Sequence, residues 1–560
     1  MVKHHLGITD YVVIGVMLLI SVGIGVVAKY YGSQKSAREY LLAGKQMAKL
    51  PVMLSIIATG TSSTSLIGAP ADIYKYGLAF ISSLLLYPLG LYLASSIFIP
   101  VYYQCGVSTV NEFIEMRFGK IMKFMISTFL LLQLVVYMAV ALYGSVLAFS
   151  AVTDLPLQTS IVSLGVVCTL YCFLGGLKAV LWTDVFQACL MFICVLSIFI
   201  TGIEEGGGLS KVYETARAGH RLDNIFNPRL DFLERFNFWS CILRGFIAGI
   251  VTYGTNQLEV QRILSMSDVK RAKSVLRLSS LPQILLFAIC LLCGIVLYGI
   301  YHDCDPVLNK KYSGLTKHDQ MIPAYIVNKF SNIPGMTGLC IAGIFSASLS
   351  TISSALNCAS TITVVDFIKP IFKSGQISDL KTVWLAKVLS LMYGVICIGL
   401  SFCFLDIQSL KRLSFVVISA GDGPILAIFL VGVLTRKAGD KLISFAFIFG
   451  ITIISWISFG SLFSKYHQPF LPLSTSGCTS TENVTTSFNS STIMTPTTNS
   501  KEIFILYKIA HMWYPTFGFI LTSVVIFISV LATGWKKNVI PADSKCLSPI
   551  LWKKSKPQNA

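Results

Sequence analysis

Three ionisable side chains stand where hydrocarbon should surround them. Asp184 follows the run Gly175-Gly176-Leu177-Lys178-Ala179-Val180-Leu181-Trp182-Thr183, Arg244 falls in the outer half of an apolar stretch at 236–258, and Asp422 lies within Ser419-Ala420-Gly421-Asp422-Gly423-Pro424. A charge inside such a stretch is costly and is kept where it pairs, lines a wet cavity or handles a solute. The plain reading of Asp184 is a carboxylate satisfied by backbone N–H groups at a helix N-terminus. Two other stretches carry oxygen rather than charge. One reads Ala58-Thr59-Gly60-Thr61-Ser62-Ser63-Thr64-Ser65 and continues to Gly68-Ala69-Pro70; the other holds Ser346, Ser348, Ser350, Thr351, Ser353, Ser354 and Asn357. Hydroxyls are common glue between membrane helices. In this density they also suit interrupted helices that line a cavity, and together they offer neutral oxygen ligands to a hard monovalent cation.

Other chemistry finds no support. His4, His5, His220, His302, His318, His467 and His511 lie at or outside the ends of apolar runs, and no paired-carboxylate, zinc HExxH or Ser-His-Asp spacing occurs. Neither Gly44-Lys45 nor Gly119-Lys120 is followed by Ser or Thr, as an ATP-binding loop requires. We therefore expect no catalytic residue and no cofactor, with an ion gradient as the energy source.

The elements that must position these residues are membrane spans. Of 560 residues 54% are hydrophobic and 12% charged, half the charge of a soluble domain, about 25%. The apolar run from Tyr11 to Val27 is too long for a signal peptide and lacks a small-residue cleavage site. Apolar runs predict thirteen spans, near 9–28, 51–73, 79–101, 124–152, 157–174, 180–202, 236–258, 278–301, 336–366, 382–403, 410–434, 441–463 and 508–533. The net charge of +18 does not point to nucleic acid, because the cations cluster between spans as the positive-inside rule produces. Lys29, Lys35, Arg38, Lys45 and Lys49 follow the first span, and Arg262, Lys270, Arg271, Lys273 and Arg277 follow the seventh. Arg436, Lys437, Lys441, Lys536, Lys537, Lys553 and Lys554 continue the pattern, so these segments are expected in the cytoplasm. The Ser/Thr-rich loop 464–506 carries sequons at Asn483 and Asn489, which favour the outside. Both tests give an extracellular N-terminus and a cytoplasmic C-terminus. Most of the 15 cysteines fall inside spans as small hydrophobes. Cys304 and Cys478 fall in outer loops, where one disulfide is open to them.

Three stretches resemble the sodium/solute symporter family, solute carrier family 5. They are Gly175 to Gln187, the run Tyr253-Gly254-Thr255-Asn256-Gln257 with Gln261-Arg262, and Phe345-Ser346 through Asn357 to Asp366. The first matches the family signature over thirteen residues, and the likeness runs from about residue 8 to about 460. Asp303-Cys304-Asp305-Pro306 resembles the branch that carries monocarboxylates, iodide and vitamins. Thr64 and Ser65 stand where the sugar-carrying branch has a Glu-Gln pair, which disfavours sugar.

The resemblance implies an all-α membrane protein with a LeuT-like core of two inverted five-helix repeats, at 51–202 and 236–434. The first span and its loop (1–50) precede this core. A loop at 203–235 lies between the repeats, and a span at 435–463, the loop 464–506, a last span at 507–535 and a basic tail at 536–560 follow. Sodium and a small solute would bind near the midplane beside broken helices at 51–73 and 236–258. The family's main sodium site matches the carbonyls of Ala58, Thr61 and Ala347 and the hydroxyls of Ser350 and Thr351, with Asp184 near the ion's cytoplasmic exit. A second sodium would use Ser62, Ser65 and Tyr137, but Ser65 replaces that branch's Gln, which leaves the stoichiometry open. The substrate cavity would include Gly60, Thr64, Gln187, Arg244, Gln257 and Asp422.

In that branch glycine stands at the positions matching Arg244 and Asp422. Three readings compete for the two charges: a salt bridge locking two helices, a substrate carboxylate bound by Arg244, or a cationic solute or proton at Asp422. The expectation is a plasma-membrane sodium symporter for a small monocarboxylate or similar anion, working by alternating access. A symporter for a cationic or vitamin-like solute is the alternative, together with a transport-dead sensor or channel on the same fold. No obligate protein partner is expected.

Overall fold

The computed structural model describes residues 6–31, 36–153, 155–372, 378–405, 410–437, 439–464, 466, 468–478, 503–534 and 539–551. The sequons at Asn483 and Asn489 lie outside these residues, as do Lys35, Lys536, Lys537, Lys553 and Lys554. Among the described residues the chain is helical throughout, with no strand. Helix α1 spans Ile8–Tyr31. Two half-helices follow, α2 at Lys49–Gly60 and α3 at Ala69–Tyr76. Next come α4 at Ser83–Cys105, α5 at Lys120–Val152 and α6 at Leu157–Glu205. The second half opens with α7 at Phe238–Gly254, the short α8 at Gln257–Ile263 and α9 at Val269–Tyr301. It continues with α10 at Met336–Ile362, α11 at Asp379–Ser401 and α12 at Leu410–Leu434. Helices α13 at Asp440–Phe463 and α14 at Tyr514–Thr533 complete it.

Ten helices among the described residues are long and apolar enough to cross a bilayer, or eleven if Ala37–Lys45 and Lys49–Gly60, bent by 101°, form one span. Three of the thirteen expected spans fall short, each at a break in its helix. At Thr61 (φ −123°, ψ 86°) the backbone leaves the helical conformation. The Thr61 N–H reaches only the Ala58 carbonyl, at 3.4 Å, and α2 stops. Helix α7 ends at Gly254, where Asn256 instead caps α8 by accepting the Leu258 N–H at 3.0 Å. The spans expected at 157–174 and 180–202 are two arms of α6, bent at Gly176 (φ 61°, ψ −169°). Glycine alone enters that conformation without strain, and a Cβ there would strike the Tyr40 ring.

Burial orders the helices from centre to rim. Helix α10 is buried along 94% of its span, whereas α1 and α14 are buried along only 28%. Beside the centre, α7 crosses α4 at backbone contact. A Cβ at Gly245 would collide with the Ser83 carbonyl, and one at Gly249 with that of Tyr87. Such close approach is how small residues hold membrane helices together in the absence of a hydrophobic drive.

One end of the bundle is strapped. Cys304, just past α9, is disulfide-bonded to Cys478. The strap carrying Cys478 also lies against α3, where the Leu471 N–H donates to the Lys75 carbonyl at 2.9 Å. Arg221 donates to the Tyr74 and Pro472 carbonyls, so it joins α3 to the strap. Asp305 accepts from the Tyr74 hydroxyl at 2.9 Å and from the Leu308 N–H at 2.7 Å. Burial pushes the Asp305 carboxyl up, but bonds from His318, Leu308 and Tyr74 outweigh it and hold the group below the usual carboxylate range.

Candidate ion and substrate site

Where α2 breaks, it faces α10 and α6, and polar side chains from all three converge. The Asp184 carboxylate, on α6, accepts the Ser55 hydroxyl from α2 at 2.6 Å and the Ser350 hydroxyl from α10 at 2.6 Å. Arg262, from α8, donates to it at 2.9 Å. Two expectations are corrected here. Asp184 sits within a helix and is held by side chains, not by backbone N–H groups at a helix start. Arg262, grouped with the loop cations, is wholly buried, because it is the counter-charge that a buried carboxylate needs.

Of the oxygens expected to hold a cation, the Ser350 hydroxyl lies against this pair. Ser350 is 3.2 Å from the Thr59 hydroxyl, and the Thr351 hydroxyl donates to the Ala347 carbonyl at 2.9 Å. Ala58 and Ala347 are fully buried, and so is Thr61, whose hydroxyl has no hydrogen-bond partner among the described residues. An orphaned buried hydroxyl costs free energy unless a ligand or water takes it up. A monovalent cation is such a ligand.

Two adjoining cavities lie on the other side of the break. The larger, about 220 Å³, is lined in part by Gly60, Ser62, Thr64, Ser65, Tyr137 and Gln257, together with Arg244 and Asp422. The smaller, about 180 Å³, shares Gly60, Ser65 and Arg244 and adds Tyr87 and Gln283. Five of the six expected substrate-cavity residues thus line a cavity. Gln187 does not. It is fully buried one turn beyond Asp184, and neither amide atom has a hydrogen-bond partner among the described residues. Gln257 lines the cavity, yet its amide is tied to the Val110 N–H at 2.8 Å and the Ser108 carbonyl at 3.2 Å. It fixes α8 more than it offers a free contact.

Arg244, on α7, donates to Asp422, on α12, at 2.7 Å, and both are largely buried. Among the described residues this is the only hydrogen bond either side chain makes. Aromatic rings pack together beside them, with Phe80 and Phe415 lining the smaller cavity. Phe80 stacks on Phe236 at 5.3 Å and meets Phe415 edge-on at 5.6 Å, while Phe415 stacks on His511 at 5.2 Å.

Three residues of the site escaped the reading of the sequence. Gln283 accepts the Tyr253 hydroxyl at 2.6 Å, Ser55 braces Asp184, and Glu259 lines the larger cavity. Gln283 and Ser55 carry no signal beyond a polar residue inside a span. Glu259 was the readable one, a carboxylate in the segment where Tyr253 to Gln257 already marked a site.

A family model described as Sodium:solute symporter family matches residues 40–450. Sodium-coupled monocarboxylate transporter 1 of Homo sapiens is 32% identical over 549 residues, covering 95% of this chain and 88% of the relative. A Drosophila melanogaster protein, provisionally named a sodium-dependent multivitamin transporter, is 35% identical over 528 residues, covering 92% of this chain and 85% of the relative. The solved structure of a Na⁺-coupled sialic acid symporter in its substrate-bound outward-open state superimposes with a TM-score of 0.75 at 22% identity. It covers 94% of this chain and 98% of that one. At that identity the likeness speaks for the fold, a LeuT-like core of two inverted five-helix repeats.

Proposed function

Because the chain belongs to the sodium:solute symporter family, we propose that it imports a small monocarboxylate or related anion together with sodium across the plasma membrane. The strapped end faces outward, since a disulfide persists in an oxidising compartment; the N-terminus is then extracellular and the C-terminus cytoplasmic. Sodium is held by the carbonyls of Ala58, Thr61 and Ala347 and the hydroxyls of Ser350 and Thr351. Asp184, already neutralised by Arg262, acts by holding the Ser350 hydroxyl at 2.6 Å, so it positions a ligand of the ion without ligating it. We take the aromatic layer of Phe80, Phe236 and Phe415 as the outer gate and the region around Gln257 as the inner one. Opening that layer while closing around Gln257 exposes the same cavity outward, and this exchange is the alternating access.

One observation carries the choice of an anion: Arg244 points its charge into the cavity with a single hydrogen bond used. A guanidinium has five N–H donors in a planar fork that fits a carboxylate at two points. A carboxylate solute therefore finds donors free and can also compete with Asp422. A second reading, a cationic or vitamin-like solute, draws on Asp422 and on the Drosophila relative. Uptake of labelled lactate, pyruvate, nicotinate, iodide, biotin and choline, in sodium and in N-methylglucamine, separates them. Sodium-dependent uptake of a monocarboxylate supports the first reading, and uptake of choline or biotin alone moves the assignment to the second. No sodium-dependent uptake of any of them, despite surface expression, would sink both.

A further inference from the structure

We propose that Cys105 and Cys546 form a thiol–disulfide site at the end of the bundle opposite the strap, closed by a peroxide and opened by a thiol reductant. Its place in the cytoplasm rests on the orientation proposed above; the pairing of the two sulfurs does not. Helix α4 starts from the strapped end, where the Leu78 N–H just before it donates to the Arg221 carbonyl at 2.7 Å. At 1.5 Å per residue its length carries Cys105 about 35 Å from there. At that far end residues 539–551 fold back on the bundle. The Ile540 N–H donates to the Arg436 carbonyl and the Ser548 N–H to the Val433 carbonyl, each at 2.9 Å. This segment is therefore fixed on the end of α12, and Cys546, Leu547 and Ser548 are buried. The Cys105 thiol donates to the Lys545 carbonyl at 3.4 Å and lies against the Cys546 thiol. Both cysteines are free.

The surroundings make one sulfur the nucleophile. The hydrogen bond from the Cys105 thiol, with Ser544 and the Arg117 guanidinium, outweighs burial and pulls the Cys546 thiol below its ordinary value. Cys105 is only half-buried, which leaves the pair open to a small oxidant such as hydrogen peroxide. The Cys546 thiolate attacks one peroxide oxygen; an S–O bond forms, the O–O bond breaks, and the departing hydroxide takes up a proton. The Cys105 sulfur then attacks the resulting sulfenic acid; the S–S bond forms, the S–O bond breaks, and water leaves with the Cys105 proton. Two thiols have lost two electrons to the peroxide, which ends as two waters. A dithiol reductant reverses the change by exchange, as suits a transient, sensing disulfide in the cytosol.

The bond would hold the inner gate. Just past Cys105, the Ser108 carbonyl and the Val110 N–H clasp the Gln257 amide. One turn before it, the Tyr102 hydroxyl donates to the Gly254 carbonyl, and the Tyr103 hydroxyl donates to the carbonyls of Ile263 and Met266 at 3.0 and 2.9 Å. This end of α4 is thus bound to the end of α7 and to α8, and it shifts with them when the region around Gln257 opens. In the dithiol form a weak thiol hydrogen bond joins it to the segment on α12. A disulfide replaces that contact with a covalent tie, so the gate cannot move away from α12 and the transport cycle stops.

The test treats the purified full-length protein with hydrogen peroxide and compares wild type with Cys105→Ser and Cys546→Ser. Mass spectrometry of unreduced peptides should find Cys105 linked to Cys546 in wild type, with dithiothreitol removing the link. Amide hydrogen exchange at residues 106–110 should slow on oxidation of wild type and stay unchanged in both variants. In proteoliposomes under a sodium gradient, peroxide should abolish wild-type uptake reversibly. Both variants should match wild type before treatment and keep their uptake after it. Absence of the link overturns the pairing. A link that leaves exchange at 106–110 unchanged overturns the hold on the gate, and uptake lost equally in the variants assigns the inhibition to another thiol. If untreated protein takes up no solute, the symporter reading fails on its own, and the link and the exchange still decide the proposal.

Discussion

Among the described residues two buried Arg–Asp pairs join one helix to another, apart from Arg235–Asp72, which ties a loop to α3, and the two are built to different ends. Asp184 is saturated: besides Arg262 it takes the hydroxyls of Ser55 and Ser350, so α2, α6, α8 and α10 meet on one carboxylate. Asp422 has Arg244 alone, and both face a cavity. A carboxylate held by three donors from three helices resists exchange, because each lost bond leaves a buried polar group behind. A bare pair has no such lock. Its partners can be traded for a solute at little cost beyond the one bond they share. On this account the first pair holds the broken helix in register with its neighbours, and the second meets the cargo.

Removing the saturated carboxylate should have the largest effect. Asp184→Ala leaves Arg262 charged and buried, at a cost of about 3–5 kcal/mol. Thermal unfolding of the purified protein should show the loss, and combining the change with Arg262→Ala should recover part of it. Ser55→Ala removes the bond its hydroxyl donates to Asp184 and the one it accepts from Arg262, and is expected to cost at least about 1.5–3 kcal/mol, read from the same unfolding curves. A variant as stable as wild type would mean that Asp184 is not saturated after all.

At the bare pair the pattern should invert, with transport failing before stability does. Arg244→Ala is expected to reduce anion uptake by about 10- to 100-fold, equivalent to about 1.4–2.7 kcal/mol. Arg244→Ala/Asp422→Ala should unfold at a higher temperature than the worse single variant while remaining inactive toward a carboxylate. If the double variant is as unstable as the worse single one, the two charges are not coupled. The smallest effect belongs to Thr61→Ala, which removes the orphaned hydroxyl. Stability should hardly change, because no bond is lost. Half-saturation by sodium should rise only slightly, since the hydroxyl's contact with the ion is lost while the carbonyl of residue 61 stays in place.

Much of this arrangement was legible in the chain. The hydroxyl and glycine run at 58–65 announced a broken helix, the expected gap between the spans at 157–174 and 180–202 fell on the bend at Gly176, and a salt bridge was one of the three readings open for Arg244 and Asp422. The other pair was hidden for two reasons. Arg262 follows a span, where a buried cation cannot be told from one that obeys the positive-inside rule. The partners of Asp184 stand 129, 78 and 166 residues away along the chain, and neither local period nor composition records such a meeting. Gln187 misled for a related reason. The family resemblance put it in the cavity, but it lines neither cavity, and only packing decides which face of a helix meets which neighbour.

Sodium-driven accumulation is the central claim, and reconstituted vesicles test it most directly. Purified protein in sealed proteoliposomes would be given an inward sodium gradient and labelled pyruvate. The account predicts a transient rise of internal pyruvate above equilibrium, absent when potassium replaces sodium outside. Uptake that only reaches equilibrium, or that proceeds equally in potassium, would contradict it.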